Sequence, residues 1–398
     1  MEPPGGRTIS RHLLIVAAAV MLAGCAQSPS MVPGSVAGWD LPVTPDHGAS
    51  ALPGAVLPCG FPGHGNGHSH AKGGSHNASC PVALNIHIPA LRNPHFPASR
   101  LPGIHPAQLA KTYGFPVHAT GMTVAIVDAY DNRQAEKDLN KYRAEFGLSA
   151  CTTANGCFRK VNQDGNADKY PHSSRAWAQE ISLDIEMVSA VCPRCPILLV
   201  EANSPSIDDL GASVDTAVRL GARVVSNSYY ADEWSDETAE DVHYNHPGVA
   251  ITASSGDKAF PYYPAASPYV TSVGGLTVAQ SGASPNESAW KYGGQGCSGY
   301  EPRPAFQPRL CSTRSTVDMA VVADPQTGVT MFSTQSGGWV VAGGTSVGAP
   351  VIAAAYALSG HPAGPAFAYA NPADFRDVGA SGFDLATGLG SPIGVSGL

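Results

Sequence analysis

Charge is scarce in this chain. Only 23 lysines and arginines and 31 aspartates and glutamates occur in 398 residues, 14% of the sequence, where an average domain carries about a quarter. The shortage of basic residues, with a formal charge of -8, argues against a nucleic-acid partner. Low charge density also limits self-repulsion in acid, where a lysine-rich protein accumulates positive charge. The chain shows no internal repeat, and its N-terminal apolar run, Leu13 to Leu22, is too short to remain in a bilayer as a permanent anchor. What is plentiful is glycine, 44, and proline, 34, the composition of a rigid, loop-rich exported protein.

Arg7 and Arg11 precede that apolar run, so residues 1–24 read as an export signal. The run closes in Leu22-Ala23-Gly24-Cys25, which resembles a bacterial lipobox. Lipidation of Cys25 would tether the mature chain to a membrane surface through acyl chains; the alternative is an ordinary signal peptide with a cysteine nearby. The expected address is therefore the cell envelope, anchored or secreted. Residues 25–103, rich in Gly, Pro and His and including Gly63-His64-Gly65-Asn66-Gly67-His68-Ser69-His70, read as a tether or a short prosegment. Those histidines lack the regular spacing of a zinc or copper site.

Setting Cys25 aside, the remaining cysteines form an even set suited to an oxidising compartment. Proximity pairs Cys59 with Cys80, Cys151 with Cys157, Cys192 with Cys195, and Cys297 with Cys311. Cys192-Pro193-Arg194-Cys195 has the look of a redox motif, yet it follows a helix and precedes a strand, the reverse of a thioredoxin-type site, and so reads as a clamp on that turn.

Gly343-Gly344-Thr345-Ser346-Val347-Gly348 follows an apolar run and opens a helix-like one, so Ser346 is a candidate nucleophile beside unpaired helix N–H groups; capping by Thr345 or Ser346 is the plainer alternative. The usual histidine base is missing. Beyond residue 150 only His172, His243, His246 and His361 remain, none in a His-Gly-Thr-His turn. Residues 177–191 read as a mostly buried helix on which Glu180 and Asp184 stand four apart, on one face with Trp177, Met187 and Val191. Such a pair, if buried, shares a proton. Val249 to Ser254 reads as a strand ending in Ser255-Gly256-Asp257, and a neutral Asp257 there would be able to donate to an oxyanion.

Taken in order, Glu180-x-x-x-Asp184, Ser254-Ser255-Gly256-Asp257 with Tyr263-Pro264-Ala265-Ala266-Ser267-Pro268, and Gly343-Gly344-Thr345-Ser346 resemble the sedolisins, the serine-carboxyl peptidases, over residues 104–398. The resemblance implies a subtilisin-like α/β fold, a doubly wound, mostly parallel sheet with helices on both faces, and an acid-active endopeptidase. It implies Ser346 as nucleophile, Glu180 as base, Asp184 as the acid orienting that base, and Asp257 as the oxyanion-stabilising acid. Glu186 falls outside the pattern. Unperturbed carboxyls titrate near about pH 4, so activity is expected to peak well below neutral and to vanish by about pH 8. Protein or peptide substrates and a monomeric state are expected.

The family's calcium site is matched by Asp377-Val378 and Gly382-Phe383-Asp384, with the intervening loop cut to a few residues. Asp377, Val378, Gly382 and Asp384 are the candidate calcium ligands; the alternative is a metal-free turn in which the two aspartates cap the backbone. Independently of the resemblance, strands are expected near 123–127, 197–201, 223–227, 249–254 and 339–342, and helices near 133–146, 174–191, 206–220, 235–244 and 348–358. That alternation itself predicts a parallel sheet. Residues 281–335 are expected as a surface excursion near the cleft. Two other readings stand beside the peptidase: a catalytically silent binding lipoprotein of the same fold, and a disulfide- or metal-handling surface protein built on Cys192, Cys195 and the histidine spacer.

Overall fold

The run Val124-Ala125-Ile126-Val127-Asp128-Ala129 is buried at all six positions, as a strand covered on both faces must be. It lies at the centre of an eight-stranded sheet in a computed structural model that describes residues 55–56, 76–80, 83–87, 101–279 and 285–398. Across this sheet the order runs Asn286–Ala289, Thr271–Ala279, Ala250–Ser254, Val224–Asn227, Val124–Ala129, Ile197–Ala202, Phe158–Asn162, with Met319–Val322 pairing Thr271–Ala279 off that path. Every pairing is parallel except that of Asn286–Ala289. The helices Arg175–Val191 and Gly348–Ser359 pack on one another and on the sheet, while Ile207–Arg219 packs on the same strands from the other side. This is the doubly wound α/β architecture expected.

Three expectations need correction. The apolar strand near 339–342 exists as Gly338–Gly343, but it belongs to a separate antiparallel sheet with Ala55–Val56, Ala83–His87 and Val329–Ser333. The helix near 235–244 is a 3-10 helix, Glu237–His243. The excursion proposed for 281–335 is shorter, because Met319–Val322 is wholly buried in the central sheet. The strand Phe158–Asn162, with Arg159 exposed and Lys160 half-buried, has too little apolar pattern to be read in advance.

Disulfides join Cys151 to Cys157, Cys192 to Cys195, and Cys297 to Cys311, as expected. The Cys192–Cys195 bond closes the turn between the Arg175–Val191 helix and the Ile197–Ala202 strand. Gly121 lies so close that a Cβ there would sit 2.3 Å from Cys195 Sγ, which marks the bond as a packed clamp. Cys80 is disulfide-bonded as well; its expected partner Cys59, the lipobox Cys25, the export signal and the His64–His70 spacer lie outside the described residues. No described helix is long and apolar enough to cross a membrane.

Candidate active site

Ser346 stands in the turn between the Gly338–Gly343 strand and the Gly348–Ser359 helix. Gly344 enters that turn at a φ of 96°, a region that a side chain disfavours, and Thr345–Val347 complete one 3-10 turn. Ser346 is buried, and its Oγ has no hydrogen-bond partner among the described residues. Ser228, the residue after the Val224–Asn227 strand, donates its hydroxyl to the Ser346 carbonyl at 3.4 Å.

The Arg175–Val191 helix packs against both this turn and the Gly348–Ser359 helix. It carries Glu180 and Asp184 fully buried, as the four-residue spacing among apolar neighbours predicts. Burial pushes the Asp184 carboxyl well above the usual range; the Ser228 hydroxyl beside it acts in the opposite sense, although it lies outside hydrogen-bonding geometry. A third acid joins them that sequence reasoning missed. Asp128, in the Val124–Ala129 strand, is pushed well upward first by burial and then by the charges of Asp184, Glu180 and Glu201. Carboxyls that repel one another in a dry interior hold protons between them. The one signal for Asp128 in the sequence is a lone acid inside an otherwise apolar strand.

Asp257 follows the Ala250–Ser254 strand, past Gly256 at a φ of 98°. Its Oδ1 accepts the backbone N–H and the hydroxyl of Thr345, each at 2.9 Å, so it is fastened to the residue preceding Ser346. Although the residue keeps some exposure, burial pushes its carboxyl up to about 7, against the opposing effect of the two Thr345 bonds. Tyr230 feels both sides of the site: after burial, the Asp257 charge and then those of its tyrosine and aspartate neighbours and of Glu180 raise it. The structure thus gathers Glu180, Asp184 and Asp128 on one side and Asp257 with Ser346 on the other. Glu186 is not part of this group; its Oε2 accepts the Phe332 N–H at 2.9 Å and ties the helix to the second sheet.

The candidate calcium loop closes on itself. Asp384 Oδ1 accepts the N–H groups of Ala386 and Thr387, both at 2.8 Å, and Oδ2 accepts the Ala380 N–H. Asp377 Oδ2 accepts the Gly382 N–H, and the Val378 carbonyl accepts the Thr387 hydroxyl at 2.6 Å. Calcium needs six to eight oxygens turned toward one point. Here N–H and O–H donors already face the would-be ligand oxygens, and the residues do not fit the ion.

A piece of the N-terminal region lies against the loops that follow two strands of the central sheet. Ile207 N–H donates to the His76 carbonyl, Ala78 N–H to the Pro205 carbonyl at 2.7 Å, and Ser79 exchanges both backbone bonds with Tyr230 at 2.8 and 3.0 Å. The segment is therefore held by isolated bridges between the loops that leave Ile197–Ala202 and Val224–Asn227, at the carboxyl ends of parallel strands, where ligands bind in such sheets. Ala78 and Cys80 are buried there, and His76 stacks on Trp234 with ring centroids 4.1 Å apart. Ala83–His87 then pairs with Gly338–Gly343, Ala83 opposite Gly343.

No protein-family profile matches the chain. Kumamolisin from Bacillus sp. (strain MN-32) is 29% identical over 354 residues, covering 73% of this chain and 62% of its own length. Xanthomonalisin from Xanthomonas sp. (strain T-22) is 26% identical over 380 residues, 72% of this chain and 45% of its own. The chain thus spans less than two thirds of the curated relatives it matches. Among solved structures, a Pseudomonas sedolisin, a serine-carboxyl proteinase complexed with two molecules of pseudo-iodotyrostatin, superimposes with a TM-score of 0.62 at 22% identity, over 74% of this chain and 96% of that one.

Proposed function

We propose that the chain, which is similar to kumamolisin and xanthomonalisin, is a serine-carboxyl endopeptidase of the sedolisin type that hydrolyses protein or peptide substrates in acid. The observation that carries this reading is the Asp257 carboxyl, raised to about 7 and hydrogen-bonded to Thr345 beside a buried Ser346. Ser346 Oγ attacks the scissile carbonyl carbon while its proton passes to Glu180. Asp184, one turn along the same helix, and Asp128 on the adjoining strand share the buried negative charge with Glu180. Protonated Asp257 donates to the tetrahedral oxygen, in the role backbone amides play in other acyl-transfer enzymes. Collapse expels the amine, which takes the proton from Glu180, and water then cleaves the acyl-enzyme by the same steps in reverse.

The test is cleavage of an acid-unfolded protein by the purified chain across pH 3 to 8. Turnover is expected to peak below about pH 5 and to fade as Asp257 ionises near its value of about 7. Full activity at pH 8 would point to a different base and sink the assignment. The silent-binding alternative finds no specific support in the site, since all four acting residues are present. The disulfide-handling alternative is weakened by the clamp role of Cys192–Cys195.

The same reading places the protein outside the cytoplasm, an address supported by its disulfides and by the lipobox at Cys25. Substituting Cys25→Ser is expected to move the protein from the membrane fraction to the soluble one; unchanged fractionation would exclude the lipid anchor. Residues 25–103 act as a short prosegment or as a tether, the former supported by the backbone bonds that Ala78 and Ser79 make to Pro205 and Tyr230.

A further inference from the structure

We propose that Thr345 is a positioning residue for the acid Asp257, fixing which carboxyl oxygen carries the proton that meets the oxyanion. This rests on the serine-carboxyl reading above and adds to it a residue with a defined task.

The geometry is a closed set of donors. Thr345 N–H and Thr345 Oγ1 both lie 2.9 Å from one oxygen, Asp257 Oδ1. Gly256 N–H lies 3.0 Å from Thr345 Oγ1 and donates to it. A hydroxyl has one hydrogen to give. With the Gly256 N–H occupying the acceptor side of Oγ1, that hydrogen is directed at Asp257 Oδ1. Oδ1 then receives two hydrogens and has no place for a third, so the proton of the neutral acid sits on Oδ2. Without the hydroxyl, Oδ1 keeps only the Thr345 N–H, and the proton gains access to the oxygen that leaves a lone pair where a donor is needed.

The arrangement is held rigidly. Thr345 is fully buried, and its methyl group packs where a Cβ on Gly275 would lie 3.4 Å from Cγ2. Gly256 in turn accepts the Gly294 N–H at 2.6 Å and is walled by Tyr262, whose ring would sit 2.3 Å from a Cβ at that position. Because Thr345 and Ser346 are consecutive, the acid is set in register with the nucleophile through a single peptide unit.

Thr345→Val keeps the shape and the backbone N–H but removes the hydroxyl. Loss of one such bond to a reacting group lowers kcat about tenfold, with KM unchanged, because substrate contacts elsewhere are untouched. The hydroxyl favours the ionised carboxylate, so its removal also moves the alkaline limb of the pH profile upward. Thr345→Ser restores the hydroxyl and is expected to return kcat and the limb toward wild type. Thr345→Ala is the second variant lacking the hydroxyl, for use if the valine does not fold. Wild-type kcat and an unmoved limb in a folded hydroxyl-free variant overturn the assignment, as does a Thr345→Ser enzyme as impaired as the valine. Ser346→Ala and Asp257→Asn are assayed alongside. If these remain active, the serine-carboxyl reading itself fails; if they are inactive while Thr345→Val behaves as wild type, only the role of Thr345 fails.

Discussion

Ser346→Ala is expected to remove acid proteolysis altogether, a loss on the order of ten-thousand-fold or more in kcat, with the folded protein unchanged. The side chain is buried and its Oγ has no partner among the described residues, so the alanine leaves neither a broken hydrogen bond nor a large cavity. Glu180→Gln is expected to reduce turnover comparably, since the amide no longer accepts the serine proton. The double variant is expected to be little worse than either single one, because groups that act as a unit do not contribute additively. Residual cleavage by Ser346→Ala within tenfold of wild type, in a preparation free of other proteases, would assign the chemistry to another residue. Asp257→Asn, which keeps a donor but misplaces it, is expected to cost less, on the order of a hundred- to a thousandfold.

Thermal stability is expected to fall as pH rises, the reverse of the usual acid lability. Burial raises Glu237 to about 9 and Glu301 to about 8, with the neighbouring Glu233 and Asp241 charges adding to each in turn. Glu201 reaches about 8 chiefly through burial, which outweighs Lys160 at 3.3 Å. A carboxyl whose folded pKa lies above its unfolded value contributes its full stability below about pH 4.5 and loses it as pH climbs to the folded value. Each unit of upward shift withdraws about 1.4 kcal/mol once the group ionises. The cluster is structural: Glu237 accepts the Trp234 N–H at 2.8 Å, Asp241 accepts the Tyr263 hydroxyl at 3.2 Å, and Glu233 accepts the Ser298 hydroxyl. It joins the Glu237–His243 turn to the Cys297–Pro302 strand. Scanning calorimetry at pH 4.5, 6 and 7.5 should give a steadily falling Tm, and Glu301→Gln should flatten the slope. A Tm that rises over this range would contradict the burial argument. Activity lost at pH 8 is separated from unfolding by returning the sample to pH 4.

The acids of the site were legible because each sits in a short, locally readable frame. A four-residue spacing on an apolar helix face places Glu180 with Asp184, and a strand ending in Ser-Ser-Gly places Asp257. Asp128 was not legible, since nothing in Val-Ala-Ile-Val-Asp-Ala says which helix will cover the strand; only the packing of Arg175–Val191 brings the acids together. Gly338–Gly343 misled for a related reason. Its apolar run fits a parallel strand, while its partner, Ala83–His87, comes from a region whose Gly, Pro and His content suggested no pairing at all. The Glu237–His243 turn carries Glu237 inward at full burial, which the local sequence, read only as a helix near 235–244, does not announce.

The segment His76–Cys80 occupies backbone groups that another chain would otherwise be able to use, since Ser79 takes both the N–H and the carbonyl of Tyr230. Under the peptidase reading, a substrate that added along Tyr230 would have to displace it, and a tethered segment competes at high effective concentration. Trimming residues 76–80 is then expected to lower the apparent KM and to leave kcat at saturation unchanged; an unchanged KM would place substrate elsewhere.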